Sequence, residues 1–172
     1  MQQNSTAEKS DRFISVIQAN KGIIYKIANS YCKNDEDRKD LVQEIIFQLW
    51  KAFDTYSEQY RYSTWIFRIA LNVSISFYRK VSRLHQVYNE LPDDILDIAE
   101  TNDSFEKEEK TETLLLFISE LKELDKALML LYLEEKSTKE IAEIIGISES
   151  NVTTRTGRIK AILKQKFSNQ KS

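Results

Sequence analysis

The chain has 172 residues, of which 30% are charged, yet its formal net charge is only −2. Three glycines and one proline leave little material for β-turns, so the composition predicts an all-α fold, as one domain or two small ones. The single cysteine excludes an intrachain disulfide, and one cysteine with one histidine does not make a structural zinc site.

The amino terminus, MQQNSTAEKSDRF, is polar and lacks the apolar core of a signal peptide. No run of about 18 apolar residues occurs that would span a bilayer. We therefore expect a soluble, cytoplasmic protein. The sequence has no glycine-rich phosphate loop, no Ser/His/Asp set and no metal-ligand cluster, so we expect neither a cofactor nor an enzymatic activity.

Two helices are expected in the first third of the chain. Residues 1 to about 11 are expected to form a frayed leader, after which apolar residues recur at helical spacing from Phe13 to about Cys32. Asn34 or Asp35 is expected to cap a second helix, which runs to about Phe53. Its predicted buried stripe is Leu41, Ile45 and Leu49, and the residues left largely on its other faces are Asp40, Gln43, Glu44, Phe47 and Trp50.

A polar, tyrosine-rich connection, residues 54–63, leads to a third helix expected from Thr64 to about Leu84. Its predicted core stripe is Ile66, Ile69, Ala70, Val73 and Phe77. Beside this stripe lies a second band, about 80° wide at helical spacing, which consists of Trp65, Arg68, Asn72, Ser76, Arg79 and Arg83. No acidic residue occurs between Arg61 and Asn89.

The composition of this band fits a groove for single-stranded nucleic acid. Arginines bind phosphates, aromatic rings stack on bases, and an amide reads a base edge. A structural reading stays open, in which Trp65 packs in the core and the arginines are simply solvated.

An acidic stretch then separates two basic parts of the chain. Between Glu90 and Glu112, ten acidic residues face two lysines, and large apolar residues are few. That composition predicts a flexible tether that lets the flanking modules take up independent positions. We expect an amino-terminal module at residues 12–90, a linker at 91–112 and a carboxyl-terminal module at 113–168.

The carboxyl-terminal module is expected to have four helices, the last two forming a helix-turn-helix. Its first apolar pattern comprises Leu115, Ile118, Leu121, Leu124, Leu128, Leu131 and Leu133. Ser137 and Glu140 have the spacing of a capping box, and Gly146 stands where the chain must leave the helix with positive φ. Ser148 is a good N-cap for the next helix, whose predicted core residues are Val152, Ile159 and Leu163.

The polar face of that last helix predicts DNA binding in the major groove. It presents donors suited to base edges and phosphates, namely Ser150, Asn151, Thr153, Thr154, Arg155 and Arg158. No acidic residue follows Glu149. The alternative is a helical hairpin with a solvated basic face.

These segments together resemble a known family. DLVQEIIFQLW, then STWIFRIALNVSISFYRK, a linker, and a helix-turn-helix that ends VTTRTGRIKAIL are similar in order and spacing to the extracytoplasmic-function (ECF) sigma factors of the sigma-70 family. These are small alternative sigma subunits of bacterial RNA polymerase. The resemblance extends from about Ile17 to Phe167.

The resemblance implies roles for the two modules and their residues. Residues 12–90 would be sigma region 2, which docks on core polymerase and opens the minus-ten element, and residues 113–168 would be region 4, which reads the minus-thirty-five element. The implied polymerase contacts are Asp40, Gln43, Glu44, Phe47 and Trp50. The implied contacts to the melted strand are Tyr56, Tyr60, Tyr62, Trp65, Arg68, Asn72 and Arg79, with Asn72 reading a flipped-out base. In the recognition helix, Thr153, Thr154 and Arg158 match base-contacting positions, and Arg155 matches a backbone-contacting one.

The implied partners are promoter DNA, core RNA polymerase through its β′ clamp helices and β flap, and an anti-sigma factor that can hold the protein at the membrane. No small-molecule substrate is implied.

Two positions depart from the family pattern: Gly157 replaces a bulky residue on the recognition helix, and Leu71 stands where an arginine is common.

Two other functions stay open at this point. One is a stand-alone helix-turn-helix regulator with an amino-terminal dimerisation or sensing domain. The other is a helical enzyme or ligand-binding domain fused to a helix-turn-helix, which would need a polar pocket in the first module. Transcription with purified core polymerase distinguishes a sigma factor from a regulator.

Overall fold

The computed structural model describes residues 2–88 and 106–170, and the side chains of residues 7–83 and 111–169. All regular structure in these ranges is helical, which confirms the all-α prediction. The helices are α1 (Gln2–Tyr31), α2 (Asp35–Ala52), α3 (Tyr62–Tyr88), α4 (Glu106–Ser119), α5 (Glu123–Leu133), α6 (Thr138–Ile145) and α7 (Glu149–Gln170), with a short 3₁₀ turn at Phe53–Thr55. Among these helices, none is long and apolar enough to cross a bilayer.

Helices α1, α2 and α3 pack against one another around a shared apolar core. Ile27, Leu41 and Ile66 are fully buried there. The frayed leader predicted for residues 1 to 11 is wrong for all but Met1, which lies outside the described residues, because α1 already begins at Gln2. Tertiary contacts at Lys9 hold this part of the helix, and sequence periodicity does not register such contacts.

The start and the core stripe of α2 are as predicted. The Asn34 side chain caps the helix by accepting a hydrogen bond of 2.7 Å from the backbone N–H of Asp37. Acidic residues fill the first turn, where the positive end of the helix favours them. Leu41, Ile45 and Leu49 are fully buried, which confirms the predicted stripe.

Helix α3 is buried on two sides, and the sequence pattern predicted only one of them. On the predicted stripe Ile66 and Ala70 are fully buried, and Ile69, Val73 and Phe77 are half-buried. The second buried side consists of Phe67, Leu71 and Ser74. Helices α5 and α6 also pack on α3, so this helix is shared between the two parts of the chain.

The helix-turn-helix forms as the sequence predicts. Ser137 and Glu140 make a complete capping box at the start of α6. Gly146 ends α6 with φ of +81°, a backbone state that strains any residue with a Cβ. Val152, Ile159 and Leu163 of α7 are buried. Of the predicted apolar pattern in this module, Leu115 and Leu133 are substantially exposed.

The two parts of the chain are in contact in this structure, so they do not take up independent positions here. Lys126 of α5 is only 2% exposed. Its ammonium lies 4.8 Å from the ring centre of Tyr31 and 5.1 Å from that of Tyr78. Of the predicted linker 91–112, the last residues belong to α4, which begins at Glu106, and residues 91–105 lie outside the described ranges.

Candidate nucleic-acid interface

Four aromatic side chains come together where α2 gives way to α3. This aromatic cluster consists of Phe53, Tyr56, Tyr62 and Trp65. The rings of Tyr56 and Tyr62 are stacked, with centres 4.2 Å apart, and the rings of Tyr56 and Trp65 are in a T-shaped arrangement, with centres 5.4 Å apart. Each of the four is partly or wholly buried. Trp65 packs against the hydrophobic core, as the structural alternative for this residue expects.

The third tyrosine of the predicted set lies apart from this cluster. Tyr60 is 40% exposed and accepts, through its backbone carbonyl, a hydrogen bond from the Tyr56 hydroxyl. Its ring lines a small cavity with Trp65 and Arg68, and the other wall of this cavity is formed by Glu143 and Ile144 of α6. Three of the predicted melted-strand residues, Tyr60, Trp65 and Arg68, are therefore adjacent to the carboxyl-terminal part of the chain.

An open groove of about 760 Å³ runs between α2 and α3. Four of the five predicted polymerase contacts line it from α2: Asp40, Gln43, Glu44 and Phe47. Asn72 and Ser76 line it from α3. Phe47 is 53% exposed, so its ring is an apolar part of the groove surface that a partner could cover.

Trp50, the fifth predicted polymerase contact, lies elsewhere. Its ring is half-buried and packs edge-on against Phe13 of α1, with ring centres 5.1 Å apart. The Lys9 ammonium lies 4.4 Å from the centre of the same ring. The structure thus separates Trp50 from the groove, because it points to α1 while the other four point away from the core.

In the predicted nucleic-acid-binding band of α3, two arginines contact the carboxyl-terminal part of the chain, whereas Asn72 lines the groove. The guanidinium of Arg68 donates to the backbone carbonyl of Glu143 in α6 at 2.9 Å. Arg79 forms an ion pair with Glu123 in the first turn of α5, with 3.0 Å between Nε and Oε1. The backbone N–H of Glu123 and then Arg79 lower the pKa of that carboxyl below its usual value. Asn72 remains exposed on the groove side.

The polar face of α7 is open to solvent. Ser150, Asn151, Thr153, Thr154 and Arg158 are all exposed. Ser148 caps the helix by accepting a hydrogen bond of 3.3 Å from the backbone N–H of Asn151. Arg155 differs from the other predicted contacts, because it is half-buried and pairs with Asp125 of α5 at 2.8 Å. A Cβ at Gly157 would meet no atom within 4 Å, so the glycine leaves open space on this face.

Two known families match the chain, one in each half. Residues 16–84 match the sigma-70 region 2 family, and residues 111–163 match the sigma-70 region 4 family. The first match covers the second half of α1, all of α2 and most of α3, and the second covers the carboxyl-terminal part of the chain from α4 into α7.

Two curated proteins of Bacillus subtilis (strain 168) are similar over most of the chain. The ECF RNA polymerase sigma factor SigW is 25% identical over 91% of this chain and 89% of its own length. The RNA polymerase sigma factor SigZ is 32% identical over 73% of this chain and 70% of its own length. Among solved structures, the sigma factor RpoE from Bartonella quintana, crystallised with the anti-sigma factor NepR, superposes with a TM-score of 0.66. It is 19% identical, with 91% of this chain and 94% of that chain covered, so it supports the fold.

Proposed function

Because the chain belongs to the ECF sigma factors of the sigma-70 family, we propose that its two halves read the two elements of one promoter. A sigma factor directs RNA polymerase to promoters and has no enzymatic activity of its own. We assign residues 12–90 to region 2 and residues 113–168 to region 4, with residues 91–112 as the connection. The stand-alone regulator is not favoured, because the region 2 match accounts for the amino-terminal half.

In this proposal α7 reads the upstream, minus-thirty-five element. Its exposed polar face has the length and chemistry of a recognition helix in the major groove. Thr153, Thr154 and Arg158 contact bases, and Ser150 and Asn151 contact bases or phosphates at the entry of the helix. Arg155 pairs with Asp125 in the free protein, so its contact is to the DNA backbone, made with the guanidinium N–H groups left free by the carboxylate.

The aromatic cluster and the exposed part of the α3 band bind the melted minus-ten element. Asn72 reads a flipped-out base, because its amide is exposed beside the groove and carries both a donor and an acceptor. Tyr60 and Trp65 flank one cavity and supply rings for unstacked bases. Arg68 and Arg79 bind phosphates once they leave their present partners.

The α2 face of the groove docks on core polymerase. Asp40, Gln43, Glu44 and Phe47 offer two carboxylates, an amide and an exposed ring, a mixed surface suited to the β′ clamp helices. The β flap is the second polymerase contact, made by the region 4 half. An anti-sigma factor is a further partner, supported by the solved complex of RpoE with NepR.

The observation that carries the proposal is the exposure of Asn72 and Arg158 on helices of different halves. If each half reads one element, Asn72→Ala weakens selection at the minus-ten element only, and Arg158→Ala weakens selection at the minus-thirty-five element only. The loss of a good base contact is worth about 1–3 kcal/mol, or roughly five- to 150-fold.

The test is transcription by the full-length protein with purified core polymerase on a randomised promoter library, followed by sequencing of the transcripts. Lys164→Ala is the matched control for Arg158→Ala, since Lys164 is an exposed cation further along α7. Absence of any promoter-specific transcript refutes the proposal. Unchanged promoter selection by both variants removes Asn72 and Arg158 from the interface.

A further inference from the structure

The first turns of α1 bring two cationic side chains to the aromatic cluster. Lys9 and Arg12 are three residues apart and so share one face of the helix. Both contact residues that are more than 40 positions away in the sequence. Both residues precede Phe13, where the helix predicted from the apolar pattern begins.

Lys9 is held between an acid and a ring. Its ammonium is 2.6 Å from Oδ2 of Asp54, in the 3₁₀ turn that begins the connection to α3. The same ammonium lies 4.4 Å from the centre of Trp50. The Lys9 side chain is 27% exposed, whereas that of Asp54 is 68% exposed. Lys9 therefore faces the protein, and its charge is already compensated there.

Arg12 holds the second end of the same connection. Its Nη2 donates a hydrogen bond of 2.9 Å to the hydroxyl of Tyr62, the first residue of α3. The ring of Tyr62 stacks on Tyr56 at 4.2 Å and is 6.4 Å from Trp65. Arg12 thus fixes the hydroxyl end of a ring whose face supports the rest of the aromatic cluster.

From this geometry we infer that Lys9 and Arg12 are positioning residues for melted-strand binding. They hold both ends of the Asp54–Tyr62 connection on α1, so that the aromatic cluster is ordered before the DNA strand arrives. Ordering a loop in advance lowers the entropy lost on binding. The inference rests on the proposed function, in that it takes the aromatic cluster to be the binding surface for unpaired bases.

The first test exchanges the charges of the ion pair. Lys9→Asp and Asp54→Lys each place like charges together, whereas the double variant restores an attractive pair with the charges reversed. The assay is binding of holoenzyme, full-length protein with core polymerase, to a fork-junction duplex with a single-stranded overhang. We expect each single variant to bind about three- to fivefold more weakly and the double variant to bind like wild type.

A direct phosphate contact by Lys9 gives a different result. Asp54→Lys would then bind the probe more tightly than wild type, and this outcome overturns the inference. The salt dependence separates the two roles as well, because losing a phosphate contact lowers the slope of log K against log salt by about one, whereas misplacing the loop leaves the slope unchanged. Lys21→Asp, at an exposed lysine further along α1, controls for the change in net charge.

The second test addresses Arg12 and Tyr62 as a pair. Arg12→Gln and Tyr62→Phe each remove the hydrogen bond, and the phenylalanine keeps the ring for stacking. We expect the double variant to bind the fork-junction probe no more weakly than either single variant, and Arg12→Lys to recover part of the loss. Additive losses in the double variant would show that the two residues act separately, contrary to the inference.

Trp65→Ala separates failure of this inference from failure of the proposed function. If Trp65→Ala binds the probe like wild type, the aromatic cluster does not bind the melted strand, and that part of the proposed function falls together with the inference. If Trp65→Ala weakens binding while the Lys9 and Arg12 variants do not, the proposed function stands and the positioning role is refuted.

Discussion

In the free protein, Arg68 and Arg79 are bound by groups of the carboxyl-terminal half. We therefore predict that these intramolecular contacts compete with the binding of DNA to the two arginines. Arg79 pairs with Glu123 at 3.0 Å, and the Tyr31 hydroxyl donates to the backbone carbonyl of the same Glu123 at 2.7 Å. Both bonds join the two halves. Replacing Glu123 by glutamine weakens this closed arrangement and leaves every proposed DNA contact in place, so we expect Glu123→Gln to bind DNA more tightly than wild type.

The expected size of the effect follows from the exposure of the pair. The Arg79 side chain is 59% exposed, so the ion pair is screened by solvent and contributes about 0.2–1 kcal/mol. If the open form binds DNA and the closed form dominates, the apparent affinity scales with the open fraction. Glu123→Gln then raises affinity by about one and a half- to fivefold. Tyr31→Phe removes a hydrogen bond worth about 1 kcal/mol and gives about a fivefold gain.

The assay is fluorescence anisotropy of the isolated full-length protein with a labelled fork-junction duplex. Glu120→Gln is the matched control, because it removes the same charge nearby while its partner, Lys166, lies in the same half. Equal gains for Glu123→Gln and Glu120→Gln would refute the competition and leave only a change in net charge. If binding to core polymerase separates the two halves, the difference between the two variants should vanish in holoenzyme.

Two further predictions concern stability. Burial raises the pKa of Cys32 to about 11 from its usual 9.0, so the folded state holds this proton after the unfolded state has lost it. The contribution of Cys32 to stability is therefore fully present below pH 9 and is lost as the pH rises to 11. In denaturant titrations over this range, the unfolding free energy of wild type should fall by about 2 kcal/mol more than that of Cys32→Ala. Equal falls for the two proteins would contradict this prediction. Ser137→Ala removes the capping box of α6 and should lower the unfolding free energy by about 1 kcal/mol, with Thr138→Ala, one position on, as the control in thermal melts.

Features that depend on neighbouring residues could be predicted from the sequence. The capping box at Ser137, the left-handed Gly146 and the N-cap Asn34 each act within one turn of helix, so spacing and residue type specify them. The buried stripes of α2 and α7 also follow, since each helix buries one face. The exposure of Asn72 and Arg158 could be predicted for the same reason.

Features that depend on distant residues could not be predicted. Nothing near Lys9 in the sequence identifies Asp54 as its partner, so the first turns of α1 read as a leader. Trp50 and Phe47 are both apolar residues outside the stripe of α2, and only the position of Phe13 decides that Trp50 is packed. The charge of an arginine likewise does not reveal that Glu123 or Glu143 binds it in the folded chain.

Leu71 belongs to the second buried side of α3, together with Phe67. The resemblance to the ECF sigma factors implies an arginine at this position, but leucine stands here and its side chain is 2% exposed. It lies one turn from Phe67, whose ring is 5.7 Å from the ammonium of Lys136 in the carboxyl-terminal half. A buried leucine stabilises its surroundings by about 1.5–3 kcal/mol, whereas an arginine there would have to be desolvated. Phe67 therefore brings the apolar side of α3 into contact with the second half, so the contact between the halves does not depend on Arg68 and Arg79 alone.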